Sequence, residues 1–146
     1  MKIKIRDKEV IMTDQCIFCK IAKKEIPCNK IYESSSSLAF LDIKPHAKGH
    51  TVVIPKSHGE TIFDINDKDA RDLMIDVKKV MLLLQERINP DGFNVGWNHN
   101  KAGGQAVPHL HIHILPRYKN DGGGSMHSIV KNPGSLGVDE VVKIFK

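Results

Sequence analysis

The segment His109-Leu110-His111-Ile112-His113-Ile114-Leu115 decides how this sequence is interpreted. Histidine and aliphatic residues alternate along it, and successive side chains of a β-strand point to opposite faces of a sheet. The alternation therefore predicts a strand over residues 109–115, with three imidazoles on one face and aliphatic side chains on the other. Pro116 is expected to end this strand, because proline cannot continue a ladder that is paired on both sides.

The spacing of the three imidazoles suits a phosphate group. Alternate Cβ atoms of a strand stand roughly 6.5–7 Å apart, too far for a direct ring-to-ring hydrogen bond but suitable for two rings to reach one phosphate. Histidine changes charge near neutral pH, so one ring can act as a nucleophile while its neighbour acts as an acid. Upstream, Gly103 and Gly104 would let backbone amides approach an anion closely. Two alternatives are ordinary surface histidines and a zinc ion held directly by the three imidazoles.

One long amphipathic helix is predicted over residues 67–88, with Asn66 as its N-cap. Apolar residues recur at three- and four-residue intervals and form one stripe: Ala70, Leu73, Met74, Val77, Val80, Met81, Leu84 and Ile88. A short helix is predicted over residues 16–23, capped by Asp14. A further short amphipathic segment covers residues 138–145. The long helix is expected to supply most of the apolar surface that covers the sheet.

Short strands account for most of the remaining chain. Residues 34–37 are four serines, a turn composition that joins the first two strands into a hairpin. Residues 1–14 are expected to form a loose extension or an edge strand. Besides 109–115, strands are predicted over residues 31–33, 38–43, 51–54 and 93–98. Hairpins crossed by one long helix favour an α+β fold with an antiparallel sheet.

The composition excludes several classes of protein. A chain of 146 residues with 40% hydrophobic and 27% charged residues is typical of one globular domain. The longest apolar run, residues 80–84, is too short to cross a bilayer, and no secretory signal is expected. The net charge of +5 suits an anionic ligand, but the basic residues are scattered and only one Trp and two Tyr are available for base stacking. A nucleic-acid partner is therefore not expected.

The sequence resembles the histidine triad (HIT) family, and most closely its zinc-bearing, bacterial Hint-like branch. The first motif that supports this resemblance is the His-x-His-x-His segment followed by Pro116-Arg117. Other matching motifs lie in the family's order along roughly residues 15–118: residues 16–21, 25–27, 31–33, 39–43, 48–50, 53–56, 92–94 and 104–107, and His58. On this basis the chain divides into an extension (1–14), a HIT domain (15–118) and a tail (119–146).

The resemblance implies a nucleotide hydrolase that attacks the α-phosphorus of nucleoside phosphoramidates or dinucleoside polyphosphates. His111 matches the nucleophile, and His113 matches the histidine on the leaving-group side. Residues that match the phosphate contacts are Asn98, Gly104, Gln105 and Ala106, and Asp42 matches the carboxylate that binds ribose. The apolar pocket for the base is matched by Phe18, Ile21, Ile26, Phe40 and Ile43, of which Ile21 and Ile26 are equally well explained as core residues.

The same resemblance implies a structural zinc ion and no organic cofactor. Cys16-x-x-Cys19 is by itself a moderate zinc signal, with metal-free cytosolic thiols as the alternative. In the zinc-bearing branch the remaining ligands match His58 and His109. His46 and His50 are rival ligands that the spacing does not exclude, and Cys28 is interpreted as a packing residue.

The implied architecture is a five-stranded antiparallel sheet with one long and one short helix. Two such chains would form a cytoplasmic homodimer with a ten-stranded sheet, joined through the long helix and residues 93–97. The expected ligand is a purine nucleotide such as an AMP derivative. A scaffold protein that binds nucleotides without turnover, and a zinc hydrolase that uses the triad as ligands, are the alternatives.

Three departures from the family pattern concern substrate choice. Ala106 replaces a serine that many Hint proteins carry, and Leu41 replaces a histidine of the eukaryotic members. The tail after Arg117 does not resemble the family tail that helps to select the leaving group. The third triad position is His113 rather than the glutamine of the transferase branch, which favours hydrolysis.

Overall fold

The structure is a computed structural model that describes residues 15–146, so the predicted extension 1–14 and the predicted cap Asp14 lie outside the described residues. Its strands are β1 (Lys30–Glu33), β2 (Ser37–Leu41), β3 (Thr51–Pro55), β4 (Gly92–Gly96) and β5 (Ile112–Arg117). They form one antiparallel sheet in the order β1-β2-β3-β5-β4. The helices are α1 (Ile17–Ala22), α2 (Asp67–Ile88) and α3 (Val138–Lys143). The predicted α+β fold is confirmed, with α3 as a second short helix in the tail.

Helix α2 has the predicted bounds and the predicted cap. The side chain of Asn66 accepts a hydrogen bond from the Asp69 backbone amide at 2.8 Å, which satisfies one of the unpaired amides of the first turn. The helix packs on one face of the sheet, in a core that contains Leu73, Val77, Val80, Leu84, Ile112 and Ile114. Met74 was predicted to belong to the buried stripe, but 49% of it is exposed.

A buried carboxylate that the sequence did not predict ties the serine turn to α2. The carboxylate of Asp76 accepts hydrogen bonds from Tyr32 Oη and Ser34 Oγ, each at 2.7 Å, and from Ser36 Oγ at 3.2 Å. Burial alone would raise the pKa of Asp76, but these hydroxyls together hold it below its ordinary value. The polar turn is therefore fixed to the helix beneath it.

Strand β5 is shifted from its predicted position. Its ladder with β3 begins at the pair Val53↔Ile112, because the preceding backbone bonds elsewhere: the Leu110 amide donates to the Gly59 carbonyl at 2.7 Å. The strand also continues through Pro116, which was predicted to end it. Pairing with β3 stops at Ile114, so Pro116 is paired on one side only, where proline is tolerated.

The remaining boundaries differ by a few residues. β2 ends at Leu41 rather than at residue 43, and β4 ends at Gly96 rather than at residue 98. Within residues 15–146, none of the helices combines the length and the apolar character needed to cross a bilayer. The sheet places β5, which carries the last part of the triad segment, between β3 and the edge strand β4.

Candidate functional site

Four side chains from three separate segments meet at one end of the triad segment. Cys16 caps α1 and Cys19 lies one turn later, so both thiols are on one side of the helix. His58 follows β3, and His109 precedes the neighbouring strand β5. The His109 Nδ1 lies 3.4 Å from the Cys16 Sγ, 3.5 Å from the Cys19 Sγ and 3.2 Å from the His58 Nδ1. The Cys19 Sγ is also 3.2 Å from the His58 Nδ1.

These distances fit a metal ion at the centre of the cluster. With zinc–ligand lengths of about 2.0–2.3 Å, the edges of a tetrahedron of nitrogen and sulfur ligands measure roughly 3.3–3.8 Å. The buried ring of His109 is oriented for this role, because its Nε2 lies 2.9 Å from the Pro55 carbonyl and donates to it. Such a bond leaves the Nδ1 lone pair for a metal and fixes the ring. Cys16, Cys19, His58 and His109 therefore suit a closed, structural site.

His111 is held by a different contact. Its Nδ1 lies 2.7 Å from the His109 carbonyl oxygen, an acceptor, so the proton of the neutral ring is on Nδ1. The lone pair of the neutral imidazole is therefore on Nε2. The ring of Phe18 packs edge-on against His111, with centroids 5.1 Å apart, and only 6% of His111 is exposed. The result is a shielded ring with an unprotonated Nε2, the form of imidazole that can act as a nucleophile.

His113 receives its orientation from His50, for which the sequence predicted no such role and indicated only a rival zinc ligand. The His46 backbone amide donates to the His50 Nδ1 at 3.1 Å, so the proton of the neutral His50 ring is on Nε2. That nitrogen lies 2.9 Å from the His113 Nδ1 and 3.6 Å from a carboxylate oxygen of Asp42. In His113 the proton is consequently on Nε2, which makes this nitrogen a donor.

This hydrogen-bond chain argues against a second metal ion at Asp42, His50 and His113, although their donor atoms lie within 4.8 Å of one another. An ion would need the lone pair of the His50 Nε2, and the ring proton would then move to Nδ1. There it would face the His46 amide, which is also a donor.

The three triad rings thus occupy three different environments, which disfavours the zinc hydrolase alternative.

Burial controls the charge of these rings. It lowers the pKa of His109 to about 4 and that of His113 to about 4, and it also lowers the pKa of His111 and His50. The carboxylate of Asp42 acts in the opposite direction on His111, His113 and His50. In the absence of an anionic ligand the triad is therefore neutral at physiological pH.

The loop over residues 101–106, called the glycine loop here because it contains Gly103 and Gly104, is held by the Gln105 side chain. The side chain of Gln105 accepts from the Asn100 amide at 2.9 Å and donates to the carbonyls of Glu60 and Val107 at 2.7 and 3.0 Å. Gly104 has φ +92°, a conformation that glycine adopts without strain. The side chain of Asn98 packs against it, since a Cβ on Gly104 would lie 3.7 Å from the Asn98 Cγ. The amide side chain of Gln105 thus shapes the loop, a role that its position in the sequence did not indicate.

The predicted base-pocket residues lie together, with one exception. Ile21 and Phe40 are buried in a second core, against which Phe18 and Ile26 pack. Phe18 and Phe40 meet edge-to-face, with ring centroids 5.7 Å apart. Ile43 is 83% exposed, at the surface beyond Asp42. Ile43 is therefore accessible to a ligand, whereas the buried Ile21 is explained by packing alone.

Comparison with known proteins agrees with this geometry. Residues 23–120 match the family model described as "HIT domain". The chain belongs to the HIT family. It is 43% identical over 131 residues to an uncharacterized HIT-like protein of Methanocaldococcus jannaschii, covering 90% of this chain and 98% of that protein. It is 45% identical over 102 residues to the adenosine 5'-monophosphoramidase hnt1 of Schizosaccharomyces pombe, covering 70% of this chain and 74% of the yeast protein.

Solved structures of HIT proteins have the same fold. A HIT family protein from Bacillus anthracis superposes with a TM-score of 0.78 at 40% identity, over 90% of this chain and 93% of the other. A histidine triad nucleotide-binding protein from Candida albicans gives a TM-score of 0.73 at 35% identity, over 89% and 92% of the two chains. These similarities confirm the family predicted from the sequence and its hydrolase-like character.

Proposed function

We propose that this HIT protein hydrolyses nucleoside 5'-phosphoramidates or dinucleoside polyphosphates at the α-phosphorus, through a nucleotide covalently bound to His111. The observation that carries the proposal is the 2.7 Å contact between the His111 Nδ1 and the His109 carbonyl, which leaves the Nε2 lone pair for attack. The ring of His113 lies beside it, with centroids 5.0 Å apart and its Nε2–H as a donor. An adenosine nucleotide is the proposed substrate, because the yeast relative is named as an adenosine 5'-monophosphoramidase.

The proposed reaction has two displacements. In the first, the His111 Nε2 forms a bond to the α-phosphorus as the P–N or P–O bond to the leaving group breaks, and the electron pair departs with that group. A bound phosphate favours protonated His113, since opposite charges stabilise each other, and the protonated ring gives up the hydrogen bond that its neutral Nδ1 accepts from His50. The proton of the His113 Nε2 then passes to the departing atom. In the second displacement, water gives a proton to neutral His113, attacks phosphorus and releases the nucleoside monophosphate from His111.

The nucleotide would lie between the aromatic cluster and the glycine loop. We assign the base to the edge of Phe18, Phe40 and exposed Ile43, with Ile21 and Ile26 as supporting residues, and the ribose hydroxyls to Asp42. The phosphate would be held by Asn98 and the loop at Gly104 and Ala106, whose shape depends on Gln105. Phosphate binding by backbone amides at a glycine turn is a common arrangement.

Zinc is the proposed occupant of the thiol–imidazole cluster, with a structural role. Two thiolates and two imidazoles are the ligand set that zinc prefers, and they leave no open position for water or substrate. The ion would hold α1 against the segments that carry His58 and His109. Reduced cysteines agree with a cytoplasmic location, which we propose for the protein.

A homodimer joined through β4 is also proposed. β4 is the last strand of the five-stranded sheet in one chain, so its outer edge is available for pairing. The exposed side chains Met74, Ile75 and Leu82 of α2 would supply apolar contact area. A second copy would extend the sheet to ten strands.

Turnover of adenosine 5'-phosphoramidate by the wild type and by His111→Ala tests the proposed activity. We expect the variant to lose at least about a thousandfold in kcat, because the covalent route is removed. His127→Ala, which removes an exposed histidine of the tail, is expected to match the wild type. Equal rates for wild type and His111→Ala would contradict the proposal. Tight binding of AMP without wild-type turnover would instead support a scaffold role.

A further inference from the structure

A groove of about 530 Å³ lies between the C-terminal part of α2 and the strands β1 and β2. Ile31 of β1 packs against the α2 core, and Leu41 of β2 alternates with Ala39, a member of that core, so both point to the α2 face of the sheet. His111 instead contacts Phe18, which packs against the second core on the other face. The groove is therefore separated from the triad by the thickness of the sheet.

The body of the groove is aliphatic. Apart from Gly49 and two cations, its lining consists of Ile31, Leu41, Leu83, Leu84 and Ile88. Two turns before Leu83, on the same flank of α2, Asp76 is bound by hydroxyls of the serine turn. That part of the flank is sealed, whereas the part at Leu83 is open. An aliphatic lining gains free energy when an alkyl chain covers it, and the volume is ordinary for a small-molecule site.

Two cations lie at one end of this groove. Gly49 has φ +86° and packs so closely against α2 that an added Cβ would overlap the Ile88 side chain. Lys48 and Arg87, the neighbours of these two residues in the chain, are therefore close together, and both are exposed and line the groove. Within residues 15–146, no hydrogen bond or ion pair engages the side-chain nitrogens of either one. Both charges are thus available to a ligand.

The charge at this end of the groove favours an anion. None of the lining residues, all of which belong to the described part of the chain, is an aspartate or a glutamate. Arg87 lies in the last turn of α2, where the helix carbonyls contribute about −0.5 of a charge, so the two cations keep a positive sum. A carboxylate there can accept charge-assisted hydrogen bonds from both side chains. A peptide fits less well, because its backbone amides would face aliphatic side chains without hydrogen-bond partners.

We propose that this groove binds a medium-chain fatty acid. Its carboxylate lies between Lys48 and Arg87, and its alkyl chain runs along Leu83 toward Ile31. Leu83 and Arg87 are separated by about 6 Å along the helix axis, which suits a chain of roughly eight carbons better than a long one. Because the nucleotide would bind on the other face of the sheet, fatty acid and nucleotide occupy separate sites. The fatty-acid site therefore does not depend on the proposed function.

Titration of the full-length protein with octanoate, followed by calorimetry and by NMR of the backbone amides, tests this site. We expect saturable binding of one octanoate per chain, with the largest amide shifts at Leu41, Gly49 and Leu83 and the same affinity in the presence and absence of AMP. Hexanoate, which is two methylenes shorter, is expected to bind about tenfold more weakly. Octanol, which lacks the charge, is also expected to bind about tenfold more weakly.

Reversal of the two charges tests the position of the carboxylate. Lys48→Glu/Arg87→Glu is expected to lose octanoate binding and to bind octyltrimethylammonium instead. The matched control Lys131→Glu/Lys143→Glu makes the same change in net charge at exposed tail residues outside the lining and is expected to bind octanoate like the wild type. Octanoate that does not bind to the wild type, amide shifts centred outside the groove, competition with AMP, or unchanged affinity in Lys48→Glu/Arg87→Glu would overturn the site. Each of these results would leave the proposed function intact.

Discussion

His109 and His113 lie at opposite ends of one short segment, yet the contacts of their rings give them different chemistry. His109 turns its Nδ1 to two thiols and donates through Nε2 to the Pro55 carbonyl. His113 accepts at Nδ1 from His50 and keeps its Nε2 proton for a ligand. The comparison shows that the residue type alone does not define a role. The partner of the second ring nitrogen decides which nitrogen carries the lone pair.

The largest effect is expected on stability, for variants of the metal-site cluster that contains His109 and Cys19. His109→Ala or Cys19→Ser removes a ligand from a buried four-ligand site, so metal loss should lower the free energy of unfolding by at least about 3 kcal/mol. Metal content and chemical denaturation check this, with Cys28→Ser as the matched thiol control outside the cluster. If His109→Ala retained both the metal and the stability of the wild type, the structural-site assignment would be wrong.

A smaller effect is expected around His113, where variants of its partner His50 should change catalysis rather than stability. His50→Leu removes the donor that fixes the His113 tautomer and should lower kcat about 10- to 100-fold with little change in KM. His50→Gln keeps a side chain that can accept from the His46 amide and donate to His113, so part of the rate should return. Steady-state kinetics separate the two variants. Equal losses in both would contradict an orienting role.

The smallest effect concerns pH. Burial beside His111, His50 and His46 lowers the pKa of His113 to about 4, although Asp42 opposes the shift. The unfolded chain, with a histidine pKa of about 6.5, therefore takes up the proton first as the pH falls. The stability contributed by neutral His113 is present above about pH 6.5 and is lost as the pH falls from there toward 4.

Ring-nitrogen NMR of the protein without nucleotide measures this directly, with His113→Gln to assign the signal. A neutral His113 at pH 6 is expected. A pKa at or above the ordinary value would show that the ring is not desolvated as described. Denaturation at pH 7 and pH 5 should also show a smaller pH dependence in the variant than in the wild type.

The fold could be predicted largely from periodicity. The bounds of α2, the antiparallel sheet and the side of the triad segment that meets the core all follow from alternation and helical spacing. The exact start of β5 could not be predicted, because it depends on a hydrogen bond between groups far apart in sequence. The Leu110 amide donates to the Gly59 carbonyl. Likewise, the buried carboxylate of Asp76 is stabilised by the hydroxyls of Tyr32 and Ser34, which are far away in sequence.

The candidate site was predicted in part. The cluster of Cys16, Cys19, His58 and His109 assembles as the family resemblance implied. The contribution of His50 was missed, since nothing in its sequence context shows that the His46 amide fixes its tautomer. The bonds of the Gln105 side chain to three backbone groups were equally hidden. Roles that rest on a second partner require three-dimensional contacts.

The proposed attack of the His111 Nε2 on phosphorus would leave a nucleotide bound to this ring. The most direct measurement is rapid mixing of the wild type with adenosine 5'-phosphoramidate, an alkaline quench that preserves P–N bonds, and peptide mass spectrometry. We predict one added nucleoside monophosphoryl group, located on His111. Turnover without an adduct on the enzyme, or an adduct on another histidine, would contradict it.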